Sequence, residues 1–332
     1  MGKTHQRVYA AALVVQSIAF VWRLESKEGL TVWLKEPTRI NDAIEYLGSY
    51  ELCFYLIRGD DALIVGGGMI HVTPELERQF DNLDIDPARV KYLSLTHSHF
   101  DHCGALPYLR QRFPGLQVLG TSAAQQALAK PKVADYNANM NDLAAQQMGV
   151  HESCLCVAER VGDLAVDRVV ADGESLDLGA GVKIEFYEVP GHSKCCLATY
   201  VPAFKALFPT DTTPHPVHDW RELSFPSAQY DFDWYLASLR RLIEFDVEIL
   251  GLDHHGVMLG EQASQFLKLG LERALQFRKT VLARYAATND LDEVAREVTR
   301  EAFPMVQLPF ITEELMFVIT RAMIKNIVTT AK

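Results

Sequence analysis

The chain has 332 residues, of which 48% are hydrophobic and 23% charged, which is ordinary for a soluble globular protein with ample length for a core. A formal net charge of −11 and the lack of any basic run argue against nucleic acid as the main partner, because phosphate binding needs clustered Lys and Arg. Six cysteines (Cys53, Cys103, Cys154, Cys156, Cys195, Cys196) show neither paired metal-knuckle spacing nor a disulfide framework and read as the reduced thiols of a cytoplasmic protein.

Lys3 and Arg7 precede an apolar run, Val8 to Trp22, that is too short to span a bilayer. No small-x-small cleavage site follows before Arg23 to Glu28, so no membrane partner and no export signal is expected. Residues 1–36 are read as an N-terminal extension, an extra strand or helix or residues added by an upstream start codon. Residues 29–36 and 51–70 run or alternate as strands do, with Gly59-Asp60 as the turn between Cys53–Ile57 and Ala62–Val65. Gly66-Gly67-Gly68 then lets the backbone pass close to something. A helix starts over Pro74 to Phe80, and a loop (83–87) leads into an apolar strand, Val90 to Leu95.

That strand ends in Thr96-His97-Ser98-His99-Phe100-Asp101-His102, with three imidazoles and a carboxylate. In an extended segment His97 and His99 share a face, and Asp101 and His102 fall in the turn before a helix over 105–112. Four N/O donors at a strand end point to a metal site, since packing gives no reason to gather them. A strand (Leu116 to Leu119) and a polar, helix-rich stretch (121–160) follow. Strands resume at Val166 to Val170, Val182 to Val189 and Leu197 to Val201. Tyr230 to Phe245 has helical spacing, and Val247 to Leu252 is a further strand. Behind Gly260 only helices are expected, over Gln262 to Tyr285, Leu291 to Phe303 and Ile311 to Ile327. Three more donor groups stand at strand ends, Gly191-His192-Ser193, Thr210-Asp211 and His254-His255-Gly256, where an α/β architecture places its functional loops.

This ordered set, His-x-His-x-Asp-His, Gly-His-Ser, Thr-Asp and His-Gly, resembles the metallo-β-lactamase superfamily over roughly residues 37–260. The resemblance implies an α/β fold, an αββα four-layer sandwich over 37–260, with a C-terminal helical extension over 261–332. Within the superfamily, Thr96 to Leu109 and Leu116 to Leu119 look most like a thioesterase acting on 2-aminobenzoylacetyl-CoA in alkylquinolone signalling, which also has a helical C-terminal extension. Carried over, the resemblance makes His97, His99 and His192 ligands of one metal. It makes Asp101, His102 and His255 ligands of a second, with Asp211 bridging both. Imidazole and carboxylate suit two divalent ions, zinc or iron with manganese open, and ligand type does not choose among them. His255 is preferred to His254 because alternation in an extended backbone points the two in opposite directions. Two departures stand out. Many members have an acid where this chain has Gly66-Gly67-Gly68, and that acid usually supports a ligand from behind, so metal affinity here is lower or relies on another partner. Many also carry a further His where Ser193-Lys194-Cys195-Cys196 stands.

The expected activity is metal-dependent hydrolysis of an ester-like bond, with an acyl thioester first among substrates. Two cations sharing a water lower its pKa, so hydroxide attacks the acyl carbonyl while a metal stabilises the oxyanion. Asp101 is the expected proton carrier to the leaving group. A lactonase of the same fold is one alternative, although Thr212-Thr213-Pro214-His215 lacks the tyrosine such enzymes place after the bridging aspartate. A diiron redox protein is another, although His99 stands where those relatives use Glu. A regulatory protein that keeps the metal site but binds another protein is a third, and the C-terminal helices offer a surface for it or for a homodimer.

His215, Trp220 and Phe225 follow the bridging aspartate and are candidates for the wall of a substrate pocket. His71 and His151 read as ordinary surface or core histidines, His218 follows the bridging aspartate and is, like His215, a candidate for the mouth of the site, and Cys195-Cys196 read as buried thiols. The segment Phe303 to Met323 is either packing against the body or a lid above the metals, with Met supplying adaptable surface.

Overall fold

Cys53–Arg58 is buried at every position but its last, so a strand here has to be covered on both faces. The computed structural model describes residues 33–83, 85–150 and 164–330 and shows both covers. The expectations for Val8 to Trp22, Cys154 and Cys156 lie outside the described residues.

One seven-stranded sheet keeps chain order: β2 (Thr38–Arg39), β3 (Ile44–Gly48), β4 (Cys53–Arg58), β5 (Ala62–Val65), β6 (Val90–Ser94), β7 (Gln117–Gly120) and β8 (Arg168–Val169). The other begins at β1 (Trp33–Leu34) and continues through β14 (Val257–Leu259), β13 (Ile249–Gly251), β12 (Ala206–Phe208), β11 (Leu197–Val201) and β10 (Lys183–Glu188) to β9 (Ser175–Asp177). Side chains alternate between faces along each strand. Tyr55 and Ile57 therefore meet Phe186 and Phe208 between the sheets, while Phe54 and Leu56 turn outward to the helices.

The first sheet is covered by α1 (Thr73–Asn82), α2 (Phe100–Cys103), α3 (Leu106–Arg112), α4 (Ser122–Leu128) and α5 (Pro131–Gln147). The second is covered by the start of α7 (Glu261–Thr288), whose Ala263, Phe266 and Leu267 pack on Leu250 and Met258. The rest of α7 joins α6 (Phe232–Ile243), α8 (Leu291–Ala302) and α9 (Glu313–Thr330) in one apolar cluster. The α6 N-terminus is capped by the Asp231 carboxylate, which accepts from Trp234 N at 2.9 Å. Asn289, in the left-handed conformation at φ 53°, ends α7 and turns the chain into α8.

This is the expected αββα sandwich with a C-terminal helical part. Among the described residues Trp33 pairs with Met258, so the second sheet includes residues ahead of 37. β3, β9 and β14 had no signal in the sequence reading. β3 is buried along its whole length and lacks the alternation that marks a half-exposed strand, and β9 and β14 have three residues each.

Register places the functional loops. Val65 of β5 pairs with Ser94 of β6 in parallel, and Leu207 of β12 with Leu250 of β13 likewise. Parallel neighbours end on the same side, so the segments after these four strands leave the sandwich along one edge.

Candidate metal centre

The backbone after β6 stays extended through His99, at φ −71° and ψ 156°, and then coils into the short helix α2. The glycine tract after β5 lies against that turn: Gly104 N donates to Gly68 O at 2.8 Å and Ala105 N to Gly67 O at 2.9 Å. A Cβ on Gly67 would fall 2.1 Å from the His102 carbonyl oxygen, so only glycine lets the two segments meet. Gly191, at φ 143°, has the same role at the next loop, where its carbonyl accepts from Tyr230 N and Asp231 N at the foot of α6.

Nε2 of His192 lies 3.1 Å from Nε2 of His97 and 2.9 Å from Nδ1 of His99, and those two nitrogens are 3.1 Å apart. His192 Nδ1 donates to Ser227 O at 2.6 Å, so its Nε2 presents a lone pair to the triangle. Four-coordinate bonds of about 2.0–2.1 Å to imidazole set ligand nitrogens about 3.3–3.4 Å apart, close to the spacing seen here. A second group adjoins it. His102 Nε2 is 3.2 Å from Asp211 Oδ2, 3.1 Å from His254 Nε2 and 3.6 Å from Asp101 Oδ2. Asp211 lies between the groups. Its Oδ2 is 3.4 Å from His192 Nε2 and 3.8 Å from His97 Nε2, and its Oδ1 is 3.7 Å from His254 Nε2. The donors form three overlapping metal-compatible sets: His97, His99 and His192; His97, His102 and Asp211; Asp101, His102 and His254.

The rings are held from behind. His102 Nδ1 faces Asp253 Oδ2 at 3.0 Å, and His254 Nδ1 donates to Glu51 O at 2.5 Å. Both Nε2 atoms then point inward, and imidazole nitrogens gathered around a carboxylate at these distances fit a cation between them. Burial lowers the pKa of His97 well below the usual value, that of His99 to about 4 and that of His192 to about 3, and it lowers that of His254 as well. These four rings are neutral, the form that binds metal. Burial pulls His102 the same way, but Asp101 and Asp211 prevail and raise it well above its usual value. Burial raises Asp211, yet the imidazoles of His102, His254 and His192 outweigh this and hold it ionised.

His97, His99, Asp101, His102, His192 and Asp211 are thus brought together, but the expectation for His255 is corrected. At φ 71° its backbone leaves the extended conformation, so the alternation argument fails and His254 supplies the ring. His255 instead stacks on Tyr50 with ring centroids 4.9 Å apart, and its carbonyl accepts from the Trp33 indole at 2.6 Å. Asp253 was not singled out from the sequence. It supplies, from the end of β13, the supporting carboxylate that Gly66-Gly67-Gly68 does not.

Above the donors opens a cleft of about 540 Å³. His215 lines it, with Nε2 3.4 Å from Asp211 Oδ1, and Phe225 forms part of its wall. Trp220 does not. It is buried beneath the second sheet with Leu223, Leu242 and Phe266, because its loop folds back over the body. The C-terminal segment adds an apolar side through Met305, Leu308, Ile311, Leu315, Met316 and Ile319, while Lys132, Asn137 and Gln229 line the cleft elsewhere. The thiols stay out of the site: burial raises Cys103 and Cys196 and pushes Cys53 up to about 12, so all three are protonated.

Comparison with known proteins agrees with this geometry. The model of the metallo-beta-lactamase superfamily matches residues 49–254, and the chain belongs to that superfamily, which spans hydrolases and redox proteins. A probable metallo-hydrolase of Burkholderia pseudomallei is 26% identical over 234 residues, 67% of this chain and 70% of that protein. A metallo-beta-lactamase fold-containing protein of Sulfurisphaera tokodaii is 27% identical over 185 residues, 56% of this chain and 68% of that one. In fold, the chain is similar to the inverting sec-alkylsulfatase Pisa1 from a Pseudomonas species. That likeness has a TM-score of 0.62 at 15% identity and covers 88% of this chain and 50% of the other.

Proposed function

We propose that the protein is a binuclear metal-dependent hydrolase of an ester-like bond, with an acyl thioester as the first substrate class. One observation carries the reading: the Asp211 carboxylate lies between two groups of imidazoles at the floor of a cleft whose upper wall is apolar. His97, His99 and His192 would hold one ion and Asp101, His102 and His254 the other, with Asp211 shared. Two divalent cations supply a water of lowered pKa and Lewis acidity at the acyl carbonyl. Ligand chemistry leaves zinc, iron and manganese open.

The chain's own residues do the rest. The Met, Leu and Ile side chains between Met305 and Ile319 take up the acyl chain and exclude water from the carbonyl. Asp101 lines the cleft with Oδ2 3.7 Å from His254 Nε2, a position that supports its role as proton carrier to the leaving group. A thiolate leaves with little protonation, so little is asked of Asp101 as a proton carrier. The closer likeness to a quinolone-pathway thioesterase rests on Thr96 to Leu109, Leu116 to Leu119 and the helical C-terminal extension. Four buried free thiols, Cys53, Cys103, Cys195 and Cys196, support a reducing, cytoplasmic setting. Release of free thiol from a panel of aromatic and aliphatic acyl-CoA thioesters tests the reading. Turnover by the metal-loaded protein supports it, and no turnover with full metal content removes the thioester assignment.

A further inference from the structure

Arg273, on α7, is half-buried, and among the described residues no carboxylate lies within ion-pair distance of it. Its Nε donates to Ser224 O at 3.3 Å, and its guanidinium lies 4.7 Å from the ring centre of Phe225. Burial lowers its pKa, against the opposing charge of Glu301. A cation removed from water without a counterion is costly unless a ligand supplies one. The guanidinium borders a second cavity of about 310 Å³, which Gln276, Phe277, Thr280 and Arg284 also line. Arg284 is already answered, since its Nη2 lies 2.8 and 3.1 Å from the Glu301 carboxylate oxygens. Glu301 lines the same cavity, so among the described residues Arg273 is the groove's one cation outside an ion pair.

The groove adjoins the metal centre. Phe225 lines both cavities. Ser224, whose carbonyl Arg273 holds, is joined to His215 twice: Ser224 N donates to His215 O at 2.8 Å, and His215 N donates to Ser224 Oγ at 2.9 Å.

We propose that this groove binds an anionic group, a phosphate or carboxylate, through Arg273, with Phe225 and Phe277 packing against the adjoining part of the ligand. The anion has two sources. It is the distal end of a substrate whose acyl part lies over the metals, in which case the inference rests on the thioester reading, or it belongs to a separate effector.

Coenzyme A, which carries phosphates, is titrated calorimetrically into the metal-loaded full chain beside pantetheine, which carries none. Wild type is expected to bind coenzyme A about tenfold more tightly than Arg273→Met, because one charge-assisted contact is lost. Pantetheine is expected to show no difference, and Arg273→Lys to recover part of the loss. Glu301→Gln is expected to tighten coenzyme A binding, since it removes a negative charge from the groove. An acyl-CoA KM raised about tenfold in Arg273→Met, with kcat and the acyl-pantetheine KM unchanged, assigns the anion to the substrate. Inorganic phosphate that alters acyl-pantetheine turnover in wild type but not in Arg273→Met assigns it to an effector. Equal coenzyme A affinity in wild type and Arg273→Met at equal melting temperature overturns the proposal. Should Arg273→Met melt lower, Glu301→Gln decides, and unchanged or weaker binding overturns it. Arg273-dependent binding without any thioester turnover sinks the hydrolase reading and leaves the groove standing, and turnover with equal affinities does the reverse.

Discussion

Asp253 Oδ2 lies 3.0 Å from Nδ1 of His102, so the histidine that faces both Asp211 and His254 is held from behind by an acid at the end of β13. The loop is fixed in turn by β4, because Cys53 N donates to Asp253 O at 2.9 Å and the Tyr55 hydroxyl donates to Leu252 O at 2.6 Å. A carboxylate in this position fixes the ring and raises the basicity of the inward nitrogen. Asp253→Asn is therefore expected to weaken one metal site about 10–100-fold while the fold persists. Competition with a chelator measures it, and an unchanged affinity would assign Asp253 a purely structural part.

His254 and His255 separate by metal content. His254→Gln is expected to lose one equivalent of metal, because its Nε2 faces His102 and Asp211. His255→Gln is expected to keep both, because that ring stacks on Tyr50. Elemental analysis of the purified variants decides, and the opposite pattern would restore the alternation argument.

His71 gives a pH dependence away from the metals. Burial pushes its pKa down to about 4, against an ordinary value of about 6.5. Between those values the unfolded chain binds a proton that the folded chain refuses. Its contribution to stability is complete above about pH 6.5 and is lost as pH falls through 4. Denaturant unfolding of wild type and His71→Gln across pH 7 to 4 is expected to show a shallower decline in the variant. Parallel curves would mean that His71 is not held neutral.

Much of the centre was legible because metal donors sit at strand ends in recognisable spacings. His97 and His99 follow an apolar strand and keep an extended backbone, so alternation places them correctly. The same rule failed at His255, where a left-handed φ that no neighbouring residue announces rotates the ring away. Asp253 was invisible for a different reason. It supports a ligand 151 positions away, a pairing fixed only by how the two sheets stack. The C-terminal segment has helical periodicity, but periodicity does not say which surface the helices meet; Leu315 and Met316 line the cleft.

Under the proposed thioester hydrolysis, that wall is expected to set the acyl selectivity. Met316→Trp narrows the cleft and is expected to lower kcat/KM for long-chain acyl thioesters about tenfold more than for short ones, a difference of about 1.4 kcal/mol. Rates over a chain-length series check it, and an equal loss at every length would mean that the acyl group lies elsewhere.

Asp211 tests the account most directly, since its carboxylate faces both groups of imidazoles. Thiol release from the acyl-CoA panel should be measured for metal-loaded wild type and Asp211→Ala, with the metal content of each determined in parallel. Binuclear hydrolysis predicts turnover by wild type, a loss of at least about a thousandfold in the variant and reduced metal content. Undiminished turnover by Asp211→Ala would contradict catalysis at this centre.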